Sequence, residues 1–452
     1  MITSFVKNFA QRFEGLDDIE TIRRKVTVIP DQVRPICDVP AFEIETHIRT
    51  LLRELYIPTA TDLTILQGLV RKARAHSNRA YSVDAQSYFE KLYQPIEQFE
   101  TEQQYPWCLT GPAGVGKTSL LKAISRLFPG PMPLDIGPEH GAVTTCSHWS
   151  IAVQNHSSFS TLMAPLVSPD ERPVKRLDNA VAFAAKNAWK SGVSLMTLDE
   201  MQFLTQSATA NTAVTKLLYS FTYVGVPFVF AGNYSLGHLL NRRPEQDRQR
   251  LLSNPVLLLP SRSDSDDWLK YVSALQRVLR DSLAIDLRLE AATLHHFTAG
   301  LKRLVVQMLS QACQLAWQRE GSARRVTLGH LYTTYDSTAY STARKQAEAM
   351  LAQHRSRSSE YECPFPLPAD QAEELVKMRQ EAKAREVVAA LIRDAVPKPE
   401  RDALSVSQGL PQATALPKAR RKKPVKRTLE GFMDGHDRKM EQLSKVKQNG
   451  FK

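Results

Sequence analysis

The stretch GPAGVGKTSLLKAI, residues 111–124, decides how this chain folds. It matches G-x-x-x-x-G-K-[ST] at every fixed position, with Gly111, Gly116, Lys117 and Thr118, and it carries a third glycine at Gly114. Glycines let the backbone curl until its N–H groups face a phosphate. A lysine at this spacing reaches the β and γ oxygens, and the hydroxyl after it holds Mg2+. The flanks agree with a phosphate loop between a strand and a helix. Trp107-Cys108-Leu109-Thr110 reads as a short buried strand, and Leu120, Leu121, Ile124 and Leu127 share one helical face. Gly111, Gly114, Gly116, Lys117, Thr118 and Ser119 are the candidate nucleotide-binding residues.

Outward from this loop, residues 101–260 alternate apolar strand patterns with helical ones, which predicts a parallel sheet and an α/β domain. Trp149–Val153 is a candidate strand, and 177–189 a helix that stops near Gly192. The strand Val193–Leu198 then delivers Asp199 and Glu200 at its C-terminal end, where ligands bind in such sheets. This is the Walker B pattern. Asp199 is placed to bind Mg2+, and Glu200 to orient or deprotonate the attacking water. A helical face at Asn211, Val214, Leu217, Leu218 and Phe221 is closed by Gly225 and Pro227. The strand Phe228–Ala231 follows and ends in Gly232-Asn233. Asn233 reaches the carboxylates if its strand neighbours theirs; an ordinary loop cap is the competing reading.

Arg242, Arg243, Arg248 and Arg250 crowd the segment before the apolar strand Val256–Leu259. Four arginines in nine residues describe either a wet helix face or a group that crosses a subunit boundary to neutralise transition-state charge. Arg250 is the first candidate for such a finger and Arg248 the second. Residues 261–352 carry helical patterns only, which predicts a small lid. Within it Gly300-Leu301-Lys302-Arg303 offers Arg303 to the nucleotide, and Thr327 is a candidate N-cap. His295 and His296 are adjacent and so cannot share a helical face as metal ligands.

Residues 1–100 read as a helical N-terminal partner-binding module, with a stripe at Ile44, Ile48, Leu51, Leu52 and Leu55. A basic cluster at Arg71, Lys72, Arg74 and Arg79 is read as solvated surface. Residues 353–396 are a linker and polar helix, with Pro364, Pro366 and Pro368 close together. Residues 397–452 read as a disordered basic tail. From Pro417 onward twelve Lys and Arg face four Asp and Glu, so eight of the chain's +12 sit there and the body is only mildly basic. The five scattered cysteines suggest neither a disulfide framework nor a zinc site. The N-terminus lacks an apolar leader, so a cytoplasmic protein with no membrane partner is expected.

In this order the motifs resemble those of AAA+ ATPases. The run VSLMTLDEMQFL, a helix, then FVFAGNYSLGHLL and an arginine before a short strand is similar to the TnsC/TniB group of DNA transposition regulators. The likeness spans residues of about 100 to 345. It departs where Asn233 stands in place of a common Gly-Thr. The resemblance implies ATP and Mg2+ as cofactors and a bacterial cytoplasmic setting. It also implies assembly of the chain with itself as a hexamer-like or heptamer ring, or a filament, on double-stranded DNA. Further partners would be a target selector of the TniQ/TnsD kind and transposase subunits reached through the C-terminal tail. Sequence-indifferent phosphate contacts are expected of the channel; Lys175 and Arg176 are candidates, with a solvated loop as the favoured competing reading of them. Two alternatives stay open at this point: an AAA+ helicase loader or a recombination or replication ATPase, and a nucleotide-holding scaffold without turnover.

Overall fold

The computed structural model describes residues 9–32, 38–81, 85–135, 142–153, 159–163, 177–201, 210–319, 325–351 and 363–366, with scattered positions between 373 and 391. The chain divides at Pro397, and every described residue lies in the unit before it. The expected basic tail and the candidates Lys175 and Arg176 fall outside the described residues.

A five-stranded parallel sheet forms the centre. Its strands are β1 (Trp107–Gly111), β4 (His148–Ala152), β5 (Leu195–Asp199), β6 (Phe228–Asn233) and β7 (Asn254–Leu257), in the order β4-β5-β6-β1-β7. Strands covered on both faces need continuous apolar runs rather than alternation. Cys108-Leu109-Thr110, Leu195–Leu198 and Phe228-Val229-Phe230-Ala231 are buried throughout. A separate antiparallel pair, β2 (Met132–Asp135) and β3 (Ala142–Thr145), has no counterpart in the sequence reading.

Helices cover the sheet. On one side α5 (Lys117–Leu127) buries Leu120, Leu121, Ile124 and Leu127, the face its spacing predicts. Elsewhere α7 (Leu177–Lys190) and α8 (Ala210–Tyr223) pack their apolar faces into a second cluster with Trp149, Met196 and Phe230. Two shorter helices lean on this pair through aromatic rings. From α4 (Ala85–Tyr93), Tyr88 stacks on Trp189 of α7 with centroids 4.5 Å apart, and from α6 (Phe159–Met163), Phe159 meets Phe221 of α8 edge-on at 5.0 Å. Short helices α9 (Tyr234–Asn241) and α10 (Glu245–Leu251) follow β6. The lid is built of α11 (Asp266–Val278), α12 (Ala291–Thr298), α13 (Lys302–Arg319), α14 (Leu328–Asp336) and α15 (Ser341–Leu351). Thr327 caps α14 with a capping box, in which His330 Nδ1 accepts the Thr327 N–H at 3.1 Å. The α/β architecture with a helical lid is the one expected.

The N-terminal helices α1 (Ile19–Val26), α2 (Ile44–Glu54) and α3 (Ala60–Tyr81) bridge the lid and the phosphate-loop helix. Along α2, Ile44, Ile48 and Leu52 are each 1% exposed and lie against α13, while α1 packs on α3 and α5. Phe13, Ile22, Leu66, Leu120, Trp268 and Leu304 consequently belong to one continuous hydrophobic cluster. Complete burial stabilises each such side chain by about 1.5–3 kcal/mol. These helices are part of the body of the unit. In the stretch expected to be a linker, residues 363–366 dock on α9, where Asn241 Nδ2 donates to the Pro364 carbonyl at 2.7 Å.

Candidate nucleotide site

The loop between β1 and α5 is shaped by its glycines. Gly114 has φ +87° and Gly116 φ +121°, values that penalise any residue with a Cβ. At Gly111 the requirement is different, since a Cβ there would collide with the carbonyl oxygen of Leu258, just beyond β7. Lys117 is buried, and its ammonium donates to the carbonyls of Gly111 at 2.9 Å and Pro112 at 3.0 Å. Burial lowers its pKa to about 8, against the opposing fields of Asp199 and Glu200. Thr118 is exposed and Ser119 partly so, in the first turn of α5.

Strand pairing explains how the acidic pair arrives. Leu198 of β5 is in register with Phe230 of β6, and Asn233 of β6 is in register with Gly111 of β1. Asn233 therefore ends the strand that lies between the acidic pair and the phosphate loop. It is also the N-cap residue of α9, yet its side chain makes no capping hydrogen bond. One carboxylate oxygen of Asp199 accepts the Glu200 N–H at 2.8 Å. Glu200 has φ +62°, a left-handed conformation that costs a residue with a side chain of order 1 kcal/mol. Such local strain is characteristic of functional sites. Beneath them, His148 Nε2 lies 3.0 Å from Thr197 Oγ1 and ties β4 to β5, and burial lowers the imidazole pKa to about 4.

The lid closes over the same loop. Arg303, in the first turn of α13, donates its backbone N–H to the Gly114 carbonyl at 3.2 Å. A Cβ on Gly114 would come within 2.9 Å of Arg303 Cβ. Arg303 Nη2 donates to Gln346 Oε1 at 3.0 Å, and Gln346 Nε2 donates to the Ala113 carbonyl at 2.8 Å. Beside the loop lies a cavity of about 110 Å3, bounded by Val115, Thr59, Asp62, Pro260, Ser261 and Lys302. That is several times the ~15 Å3 that admits one water. Lys302 Nζ stands 3.8 Å from Asp62 Oδ2, and Asp267 of the lid accepts the Ala60 N–H at 3.0 Å. Lid and α3 thus share the cavity wall.

This combination fixes the fold type. The fold is a P-loop α/β domain with a helical lid. No protein-family model and no curated sequence matches the chain. Among solved structures it is similar to the Walker-type ATPase of Pyrococcus abyssi, at 16% identity and a TM-score of 0.36, over 65% of this chain and 89% of that one. It is also similar to Cdc6p from Pyrobaculum aerophilum, at 14% identity and a TM-score of 0.37, over 55% of this chain and 65% of that one. A third likeness is to the Aeropyrum pernix Orc1 protein in complex with DNA, at 17% identity and a TM-score of 0.35, over 55% of this chain and 63% of that one.

The structure thus brings Gly111, Gly114, Gly116, Lys117, Asp199, Glu200, Asn233 and Arg303 to one end of the sheet. It does not bring Arg248 and Arg250 there. Both are exposed on α10, where Arg250 lies beside Tyr219 and Arg248 has no ion-pair partner among the described residues. For Mg2+ the available donors are the Thr118 hydroxyl and an Asp199 carboxylate, hard oxygen ligands of the kind this cation takes. Gln346, Lys302, Asp62 and Thr59 were not singled out by the sequence. Only Lys302, next to Arg303, lay within a motif, and nothing local marks the others.

Proposed function

We propose that the chain is an AAA+ ATPase that assembles with itself on double-stranded DNA and regulates DNA transposition in the manner of the TnsC/TniB group. The observation that carries the ATPase reading is the strand register, which sets Asp199 and Glu200 one strand away from the P-loop with Asn233 between them. The loop N–H groups and Lys117 hold the β- and γ-phosphates, and the cavity beside Val115 takes the base. Thr118 and Asp199 would hold Mg2+, which would supply positive charge to the phosphate oxygens. Glu200 orients the attacking water and accepts its proton, Asn233 fixes that water against the γ-phosphate, and Arg303 contributes positive charge from the lid. Arg248 or Arg250 completes the site of a neighbouring subunit.

Turnover with and without duplex DNA tests this reading. Glu200→Gln is expected to keep ATP and lose turnover by about 10²-fold or more, holding the DNA-bound assembly together. Lys117→Ala is expected to lose ATP binding and assembly. Hydrolysis by Glu200→Gln at the parent rate would remove Glu200 from its role. A need for a helicase partner would favour the loader reading, and binding without turnover the scaffold.

The transposition role rests on the sequence resemblance, and with it the proposed contacts to a target selector and, through the tail, to a transposase. The apolar residues Leu429, Phe432, Met433, Met440 and Leu443 behind the basic block suit a docking peptide better than a phosphate tether. Removal of residues from about 405 onward is expected to spare ATPase activity and abolish transposase recruitment. A large loss of DNA affinity with a flatter salt slope would instead make the tail a DNA tether.

A further inference from the structure

Three segments distant in sequence meet at one carboxamide. Gln346 lies on α15, the last lid helix, and is 9% exposed. Its Oε1 accepts from the Arg303 guanidinium at 3.0 Å, and its Nε2 donates to the Ala113 carbonyl, inside the phosphate loop, at 2.8 Å. The orientation of the amide is forced. A guanidinium only donates and a carbonyl only accepts, so a single placement of O and N satisfies both neighbours. Glutamate would serve the arginine but repel the carbonyl, and an apolar side chain would serve neither. Arg303 is pinned from a second direction, since its backbone N–H is bonded to Gly114 and its Cβ fills the space beside that glycine. With both contacts in place the long arginine side chain is ordered at the rim of the loop before any phosphate arrives. Ordering such a side chain otherwise costs binding free energy.

We propose that Gln346 is a positioning residue of the nucleotide site, holding the Arg303 guanidinium and the Ala113 carbonyl of the phosphate loop in fixed relation. It acts through Arg303 and the loop, without touching nucleotide, and the inference rests on the ATPase reading above. It also couples the end of the lid to the phosphate loop. A displacement of α15 is transmitted to Arg303 and to Ala113 together.

The test is a double-mutant cycle on the full chain, with ATP binding measured by calorimetry and turnover measured alongside. Gln346→Ala is expected to weaken ATP binding about tenfold, the scale of one hydrogen bond to a charged group. In an Arg303→Ala background the same substitution is expected to cost less, because one of the two groups through which it acts is gone. Gln346→Met, close in shape, guards against a packing defect and is expected to behave as Gln346→Ala with a thermal midpoint near the parent's. Parent-like ATP affinity in both Gln346 variants would overturn the inference, as would an equal cost with and without Arg303. Failure of the parent chain to bind ATP would sink the ATPase reading and this inference with it, whereas an unaffected variant of an ATP-binding parent sinks the inference alone.

Discussion

Lys117 is a cation held inside the protein by two carbonyls and opposed by burial, and its pKa of about 8 has a consequence for stability. An unfolded lysine titrates near 10.4. Between these values the unfolded chain binds more protons than the folded one, so stability rises with pH in that window. The cost of burying the charge is present in full below about pH 8 and is relieved as pH climbs toward 10. Against Lys117→Met, which has no charge to bury, the parent is expected to gain about 2 kcal/mol between about pH 7 and about pH 9.5. Denaturant melts of both proteins at the two pH values check this, and a constant difference between them would mean that the ammonium is not buried. The residues of this site differ in how far the sequence betrays them. Lys117, Asp199 and Glu200 are legible because phosphate chemistry fixes their types and their spacing from strand ends. Gln346 is not, since its partners lie 233 and 43 residues away and a lone glutamine on a helix has no local signature.

Elements were legible where burial on both faces imposed an unbroken apolar run, as in β1, β5 and β6. The β2–β3 pair was hidden because each strand has only four residues and Pro133 reads as a strand breaker. How an element is anchored was also beyond the sequence, and Gly192 shows why. It ends α7 at φ +71°, the stop signal expected there, but its missing side chain also makes room for the ring of Phe9. Next to it, Arg12 donates to the Gly192 carbonyl and, at 2.8 Å, to Ser194 Oγ, joining the N-terminal residues to the start of β5. Gly15 has the same φ of +71°, and no described residue comes within 4 Å of where its Cβ would stand. The two glycines separate conformational strain from steric conflict. Gly15→Ala is expected to cost about 1 kcal/mol through strain alone. Gly192→Ala is expected to cost at least about 1–3 kcal/mol more, from displacement of the Phe9 ring. Equal costs in thermal or denaturant unfolding would show that the Phe9 contact adds nothing.

At the scale of the whole molecule, apolar stripes such as that of α2 announce that a face is buried without saying against what. Only the fold shows that α2 lies on the lid and α1 on the phosphate-loop helix, so that the N-terminal helices share their core with the nucleotide domain. A similar limit applies to the arginines of α10, which lie away from the phosphate loop of their own chain and would act as proposed only with a second copy of the chain. Asp247 accepts from Tyr219 at 2.7 Å and from Arg243 at 3.2 Å, so Asp247 and Arg243 are held within their own subunit, and Arg250 lies beside Tyr219. Arg248, exposed and without an ion-pair partner among the described residues, is the better candidate for the proposed finger. Arg248→Ala is expected to keep ATP binding while losing about 10³-fold in turnover on DNA, the scale of a finger supplied in trans. Arg250→Ala is expected to lose less. Mixing decides whether the group acts in trans. An Arg248→Ala subunit keeps an intact site but offers no finger, and a Lys117→Ala subunit has a dead site but offers one. Each is inactive alone, and where the two co-assemble an equal mixture restores activity at the interfaces in which the first binds ATP and the second supplies the arginine. Recovered turnover in the mixture places the arginine across the boundary. Parent-like turnover in both single arginine variants would remove α10 from the mechanism.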